Sequence, residues 1–264
     1  MTIKPLPLSI VTHKAQRLRE QAPLIHCLTN EVVQNFTANT LLAIGASPAM
    51  VVAQQEVEQF TTIANNLLIN VGTLYQERAE AMLLAANTAQ LTGKNWVLDP
   101  VAIGALTYRT EFVHQLLTYQ PKVIRANASE ILALAGLQSS GKGADSTDSS
   151  HQALEAAQQL AKHYHCIIAV TGEIDYITDG YQTWSIPYGH EMMTKVTGCG
   201  CALSAVVAAF TADCDDLLDA TASACAVVAL AGQIAVKLAK GPGSFVPYFI
   251  DQLYHSPNDL TQGL

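Results

Sequence analysis

The sequence predicts an α/β protein built on a mostly parallel central sheet with helices on both faces. Three observations predict it. Short apolar runs that end at a turn or cap residue alternate with longer runs of helical periodicity, which is the pattern of βαβ units. Polar residues stand at the ends of these runs: Asn30, Asp99, Arg125 with Asn127, and Thr171. In open α/β sheets ligands bind at those carboxyl ends. No internal repeat or domain-scale linker shows, so residues 1–264 are read as one domain.

The elements follow in order. Leu24 to Leu28 is an apolar strand closed by Thr29-Asn30. Glu31 to Ile44 is helical through Val32, Val33, Phe36, Leu41 and Leu42, and Gly45 ends it. Ser47 to Val52 is a second strand. Val57 to Asn66 is a helix, Leu67 to Val71 a strand, and Leu74 to Ala89 a helix. Trp96 to Leu98 is a strand that stops at Asp99-Pro100. Thr110 to Tyr119 is a helix, and Lys122 to Ile124 a strand leading into Arg125-Ala126-Asn127. Ala128 to Ala135 is helical, and Gln138 to Ser150 a polar glycine-serine loop. Ala153 to Tyr164 is a helix and Ile167 to Val170 a strand. Tyr176 to Ile186 has the pattern of a hairpin turning at Asp179-Gly180. The remainder is helical, with a break at Lys240-Gly-Pro-Gly-Ser244.

Composition narrows the function classes. Half of the residues are hydrophobic, and the formal net charge is -8 with only 14 Lys and Arg. Basic runs interleaved with aromatics are missing, which argues against a nucleic-acid partner. Residues 1–20 hold no apolar stretch of signal-peptide length. The six cysteines form no C-x-x-C pair, so a reducing cytoplasm is expected. Leu217 to Val236 is nearly long enough to cross a bilayer. It carries Asp219, Thr221, Ser223 and Gln233, so it is read as a buried core helix and no membrane association is expected.

The chain is organised around Met193 to Ala205, a polar glycine loop feeding a small-residue apolar helix. Thr197-Gly198-Cys199-Gly200 precedes or opens that helix. Unpaired N–H groups and the positive dipole end at such a start make an anion site, for which phosphate is the usual guest. Cys201 in the first turn is then expected to titrate below its free value of about 8.5. The bland alternative is a tight loop with a packed cysteine.

Other motifs carry less. Gly136-x-x-x-x-Gly141-Lys142 resembles a P-loop, but Gly143 replaces the required Ser or Thr and the run follows a helix. Gly198-Cys-Gly200 lacks a dinucleotide fingerprint's third glycine. Asp99 and Glu130 suit Mg²⁺, which keeps most of its waters and takes one or two carboxylates. Glu130 equally suits the first turn of its own helix. Arg125 could grip phosphate or be a surface charge. His26 and Cys27 are strand neighbours that point to opposite faces, so His26 is read as structural.

The chain resembles the hydroxyethylthiazole kinase family of the ribokinase-like superfamily along nearly its whole length. The resemblance runs through His26-Cys-Leu-Thr-Asn30, Asn35-Phe-Thr-Ala-Asn39, Gly45-Ala-Ser-Pro-Ala-Met50 and Asn70-Val-Gly-Thr-Leu74. It continues through Leu98-Asp-Pro-Val101, Tyr108-Arg-Thr110, Ile124-Arg-Ala-Asn-Ala-Ser-Glu130, Lys142-Gly-Ala-Asp-Ser146, Val170-Thr-Gly-Glu173, Met193 to Ser204 and Lys240 to Phe245. It implies a ribokinase-like fold and phosphorylation of the primary alcohol of 4-methyl-5-(2-hydroxyethyl)thiazole with ATP and Mg²⁺, in thiamine biosynthesis or salvage. A homotrimer with active sites at subunit interfaces is implied as well.

By position the resemblance makes Met50, Gly198 and Asn30 substrate-side residues, and Arg125 and Thr171 ATP contacts. Asp99 and Glu130 become the magnesium-site acids. Residues 197–200 form the anion hole, and Cys201 takes the place of the superfamily's aspartate base. Glu31, Ala126 and Cys199 depart from the family's usual residues. Competing expectations are another ribokinase-like enzyme, separable by a substrate panel, and a silent thiazole-binding protein, separable by ATP turnover.

Overall fold

The computed structural model describes residues 3–137 and 153–255. Nine strands form one sheet: β1 Ile3–Pro5, β2 Leu24–Leu28, β3 Ser47–Ala49, β4 Asn66–Asn70, β5 Trp96–Asp99, β6 Val123–Asn127, β7 Ile167–Thr171, β8 Asp175–Thr178 and β9 Thr183–Ile186. The helices are α1 Leu8–Gln21, α2 Gln34–Ile44, α3 Gln54–Ile63, α4 Gln76–Leu91, α5 Thr107–Leu117, α6 Ala128–Leu134, α7 Leu154–Tyr164, α8 Cys199–Phe210, α9 Leu217–Leu238 and α10 Pro242–Tyr254. The strand order is β1-β9-β8-β7-β6-β5-β4-β2-β3. All neighbours pair in parallel except β7 with β8 and β8 with β9. The expected mostly parallel sheet is thus present; the β8–β9 antiparallel pairing comes from the hairpin at Asp179-Gly180, and the β7–β8 pairing from the turn at residues 172–174.

Side chains alternate across the sheet because successive Cβ atoms point to opposite faces. Cys27, Leu68, Val97, Val123 and Ala169 join a core with α1, α2, α8, α9 and α10. Leu28, Leu67, Leu98, Ile124 and Ile168 join the opposite core with α3 to α7. Helices therefore cover both faces. Helix α9 is long and apolar enough to span a membrane, but 78% of its apolar window is buried inside the protein, as expected of a core helix.

Several boundaries differ from those expected. Residues 31–33 form a turn before α2, because the Asn30 side chain accepts the Val32 N–H at 3.2 Å and holds the chain out of the helix. Strand β3 ends at Ala49 because it is an edge strand paired only with β2. Helix α3 starts at polar Gln54, upstream of the first apolar residue of its pattern. Asn66 is not its end but the first residue of β4, and its amide holds the Ala208 carbonyl and the Thr211 hydroxyl. Strand β6 runs through Asn127, so Arg125 and Asn127 lie within it. Helix α10 begins at Pro242, inside the expected break; proline suits a first helical turn, where its missing N–H costs nothing. β1 and α1 were not foreseen, although Val11, Ala15 and Leu18 do show helical spacing. The loop 138–150 and the glycine-lysine part of the P-loop-like run lie outside the described residues, as does Lys142 to Ser146.

Candidate active site

The carboxyl ends of β2, β4 and β5 meet the first turn of α8, and Arg125 reaches it from β6. Asn70 and Asp99 are register partners on β4 and β5, and Asn127 and Thr171 on β6 and β7. Helix α8 starts beneath Gly198, whose φ of +99° is a left-handed conformation that favours glycine. A Cβ there would also lie 3.0 Å from Val33 and 3.2 Å from Phe36. No side chain caps this helix. Its first turn therefore presents unpaired N–H groups, beginning at Cys199 and Gly200. Thr197 in the same loop is exposed.

Arg125 reaches toward this turn from β6. A Cβ on Gly200 would lie only 3.0 Å from one guanidinium nitrogen, so glycine allows the close approach. Another guanidinium nitrogen donates to the Thr171 hydroxyl at 2.6 Å. Burial works against the charge on Arg125, but the surrounding Asp99, Glu130, Cys201 and Asp175 outweigh it and raise its pKa. The guanidinium is thus a fixed cation beside an open helix start, the arrangement suited to a phosphate chain.

Asp99 is buried at the end of β5. Its Oδ2 accepts from Asn70 Nδ2 at 2.6 Å and from Ser204 Oγ at 2.8 Å. Its Oδ1 is buried without a hydrogen-bond partner among the described residues. Burial pushes its carboxyl up to about 6, with Arg125 pulling down and Glu130 pushing up.

Glu130 realises the capping role open to it. Asn127 caps α6, and Glu130 Oε2 accepts the Asn127 N–H at 3.0 Å to complete the box. Its Oε1 accepts the Ala102 N–H at 2.9 Å, which ties the turn after β5 to α6. Each carboxylate oxygen still has a lone pair. Among the described residues no group of three or more His, Cys, Asp or Glu converges. An unpartnered carboxylate oxygen on Asp99 with Glu130 nearby fits a hard cation that keeps most of its waters.

Cys201 departs from expectation in one respect. Its thiol is not acidified: burial pushes it up to about 11 and Asp99 adds to the rise, against the smaller downward pulls of Asn70, Arg125 and Asn30. Desolvation and a neighbouring carboxylate both disfavour the thiolate. Cys201 is therefore a thiol at neutral pH. Cys199 is more buried in apolar surroundings and is pushed up to about 12.

Asn30, at the end of β2, donates to Cys201 Sγ at 3.3 Å and to Asn70 Oδ1 at 3.0 Å. Met50 follows β3 and packs, partly buried, against the core on the α8 face of the sheet. His26 bonds Thr61 and the Val51 carbonyl, which is the structural part expected of it.

Asn70, Ser204 and Asp175 escaped the sequence reasoning as site residues. Asn70 could have been noticed as one more polar residue at a strand end. Ser204 lies one turn after Gly200 on the buried face of α8 and reads as a small core residue. Asp175 is buried, accepts the Gly172 N–H at 2.9 Å, and is pushed up to about 7 mainly by burial.

Comparison with known proteins gives the family and the fold. The sequence model of the hydroxyethylthiazole kinase family matches residues 15–259. A hydroxyethylthiazole kinase of Tolumonas auensis is 57% identical over 251 residues, covering 94% of each chain. One from Escherichia coli O157:H7 is 54% identical over 250 residues, covering 95% of this chain and 94% of the relative. Among solved structures, the hydroxyethylthiazole kinase protein of Pyrococcus horikoshii OT3 superimposes with a TM-score of 0.86 at 37% identity over 93% of both chains. A ribokinase-like superfamily protein from Enterococcus faecalis shares the fold, with a TM-score of 0.67 at 14% identity. The chain has the ribokinase-like fold and belongs to the hydroxyethylthiazole kinase family.

Proposed function

We propose that this chain transfers the γ-phosphoryl group of ATP to the primary hydroxyl of 4-methyl-5-(2-hydroxyethyl)thiazole, in thiamine salvage. The observation that carries this is the meeting of an uncapped helix start, Arg125, Asp99 and Cys201 in a member of that kinase family.

Phosphoryl transfer asks the protein mainly for positioning and charge stabilisation. The N–H groups opening α8, in the loop of residues 197–200, receive the anionic phosphoryl oxygens. Arg125 adds a permanent charge, and Thr171 holds one of its nitrogens in place. Asp99 and Glu130 would hold Mg²⁺, which would supply charge neutralisation to the phosphates.

Cys201, as a thiol, accepts the hydrogen bond of the substrate hydroxyl on sulfur and orients its oxygen. A loose transition state leaves the hydroxyl proton in place until late, when it passes to a transferred phosphoryl oxygen or to water, so a strongly basic group is not required. Asn30, Gly198 and Met50 lie on the alcohol's side. Residues 1–264 act as one kinase domain, since the two cores share a single sheet.

The assembly is a homotrimer in the cytoplasm with sites at the subunit interfaces. All six cysteines are free, in keeping with a reducing compartment. Val32 and Tyr75 expose 66% and 44% of their surface near the candidate substrate side, apolar area that a second chain can cover. A native mass equal to one chain's 28.2 kDa would contradict the trimer.

The test is product formation from labelled ATP and a panel of alcohols. The hydroxyethylthiazole should be phosphorylated with a kcat/KM far above that for pyridoxal or a hydroxymethylpyrimidine. No transfer to the thiazole in the presence of Mg²⁺ would overturn the proposal.

A further inference from the structure

We propose that Asn70 is a positioning residue for the transfer: it sets the placement of Asp99 relative to Cys201 and Asn30. This rests on the proposal above that Asp99 serves the nucleotide and that Cys201 and Asn30 serve the alcohol.

Asn70 ends β4 with no exposed surface. Its Oδ1 accepts from Asn30 Nδ2 at 3.0 Å and from the Gly72 N–H at 3.0 Å. Its Nδ2 donates to Asp99 Oδ2 at 2.6 Å. A carboxamide has two acceptor lone pairs and two donors, so both lone pairs and one N–H are engaged here. The amide orientation is fixed by chemistry. Turned over, it would set oxygen against the Asp99 carboxylate and NH₂ against two other donors.

Among the described residues, no other side chain hydrogen-bonds to both halves of the site. Ser204 reaches Asp99 but not the alcohol side. Asn30 reaches Cys201 but not Asp99. Only a residue that both donates and accepts can satisfy Asp99 on one side and Asn30 on the other. By occupying Oδ2 of Asp99 together with Ser204, Asn70 also determines that Oδ1 is the oxygen left unpartnered.

Two substitutions separate this role from mere support of the fold. Asn70→Asp keeps the acceptor for Asn30 and Gly72 but loses the donor to Asp99. Asn70→Leu loses both. Thiazole affinity is read by calorimetry without nucleotide or metal, kcat is read at saturation, and the melting temperature is followed in each.

Asn70→Asp should bind the thiazole within about threefold of wild type while kcat falls about 10²-fold, the scale of a 1 Å misplacement. Asn70→Leu should lose thiazole affinity as well; if it does not fold, Asn70→Asp carries the test alone. Wild-type kcat in Asn70→Asp, or a kcat loss matched by an equal loss of thiazole affinity in that variant, would overturn the inference. A wild-type enzyme that does not phosphorylate the thiazole would instead overturn the underlying function.

Discussion

Asn30 and Cys201, 171 positions apart in sequence, meet at 3.3 Å between an amide nitrogen and a thiol sulfur. That contact joins the end of β2 to the first turn of α8 and encloses the space in front of the helix start. It depends on Gly72. A Cβ at Gly72 would lie 2.8 Å from the Asn30 Cβ and 2.9 Å from its Nδ2.

Gly72→Ala should therefore displace Asn30. Overpacking of this kind costs about 1–3 kcal/mol. The expected outcome is a lower melting temperature together with weaker thiazole binding, while the KM for ATP changes little. Calorimetric titration with the thiazole checks it, and unchanged affinity would show that the Asn30 side chain does not line the alcohol's site.

The Cys201 thiol, pushed up to about 11, should alkylate slowly at neutral pH in the ligand-free protein. Its rate should keep rising as the pH approaches that value, because the thiolate is the nucleophile. Measurement in a Cys214→Ser background removes another partly exposed cysteine. A rate already at its plateau near pH 7 would restore the acidified thiolate that the loop-to-helix sequence suggests.

Arg125 faces Asp99, Glu130 and Asp175. Arg125→Ala should thus lower stability by about 3–5 kcal/mol, the usual cost of leaving buried charges without their partner. Urea unfolding measures it. Arg125→Lys should recover part of the stability but not the nucleotide affinity, since it lacks the planar fork.

Asp175 gives a pH signature. Its folded value of about 7 exceeds the unfolded value of about 3.9. The contribution it makes to stability is thus fully present below the unfolded value and is lost as pH rises through about 7. The melting temperature of wild type minus that of Asp175→Asn should fall between pH 4 and pH 8. A difference that is flat across that window would contradict the burial-driven shift.

Much of this was legible in the chain. Asn30, Asp99, Arg125 and Thr171 were visible because apolar runs stop there, and the structure brings Asn30, Asp99 and Arg125 to Cys201, with Thr171 bonded to Arg125. Long helices such as α4 and α9 were clear because they are long, alanine-rich runs with no proline to break them. Three-residue β1 carries too few residues for alternation to show, and β3 was expected but is shorter than the expected Ser47 to Val52; as edge strands both owe their form to one neighbour each. Asn70 and Ser204 were not legible as site residues because their importance lies in whom they touch. The Cys201 thiol was misjudged because sequence reveals the helix start but not the burial or the Asp99 carboxylate beside it.

The most direct measurement is kcat for wild type, Cys201→Ala, Cys201→Asp and Cys199→Ser with the hydroxyethylthiazole under saturating MgATP. The account predicts that Cys201→Ala loses about 10²-fold, the lower end of what a proton-handling group contributes, with little change in the thiazole KM. Cys201→Asp should remain active, since a carboxylate can accept the same hydrogen bond, and Cys199→Ser should match wild type. A crippled Cys199→Ser beside a fully active Cys201→Ala would contradict it.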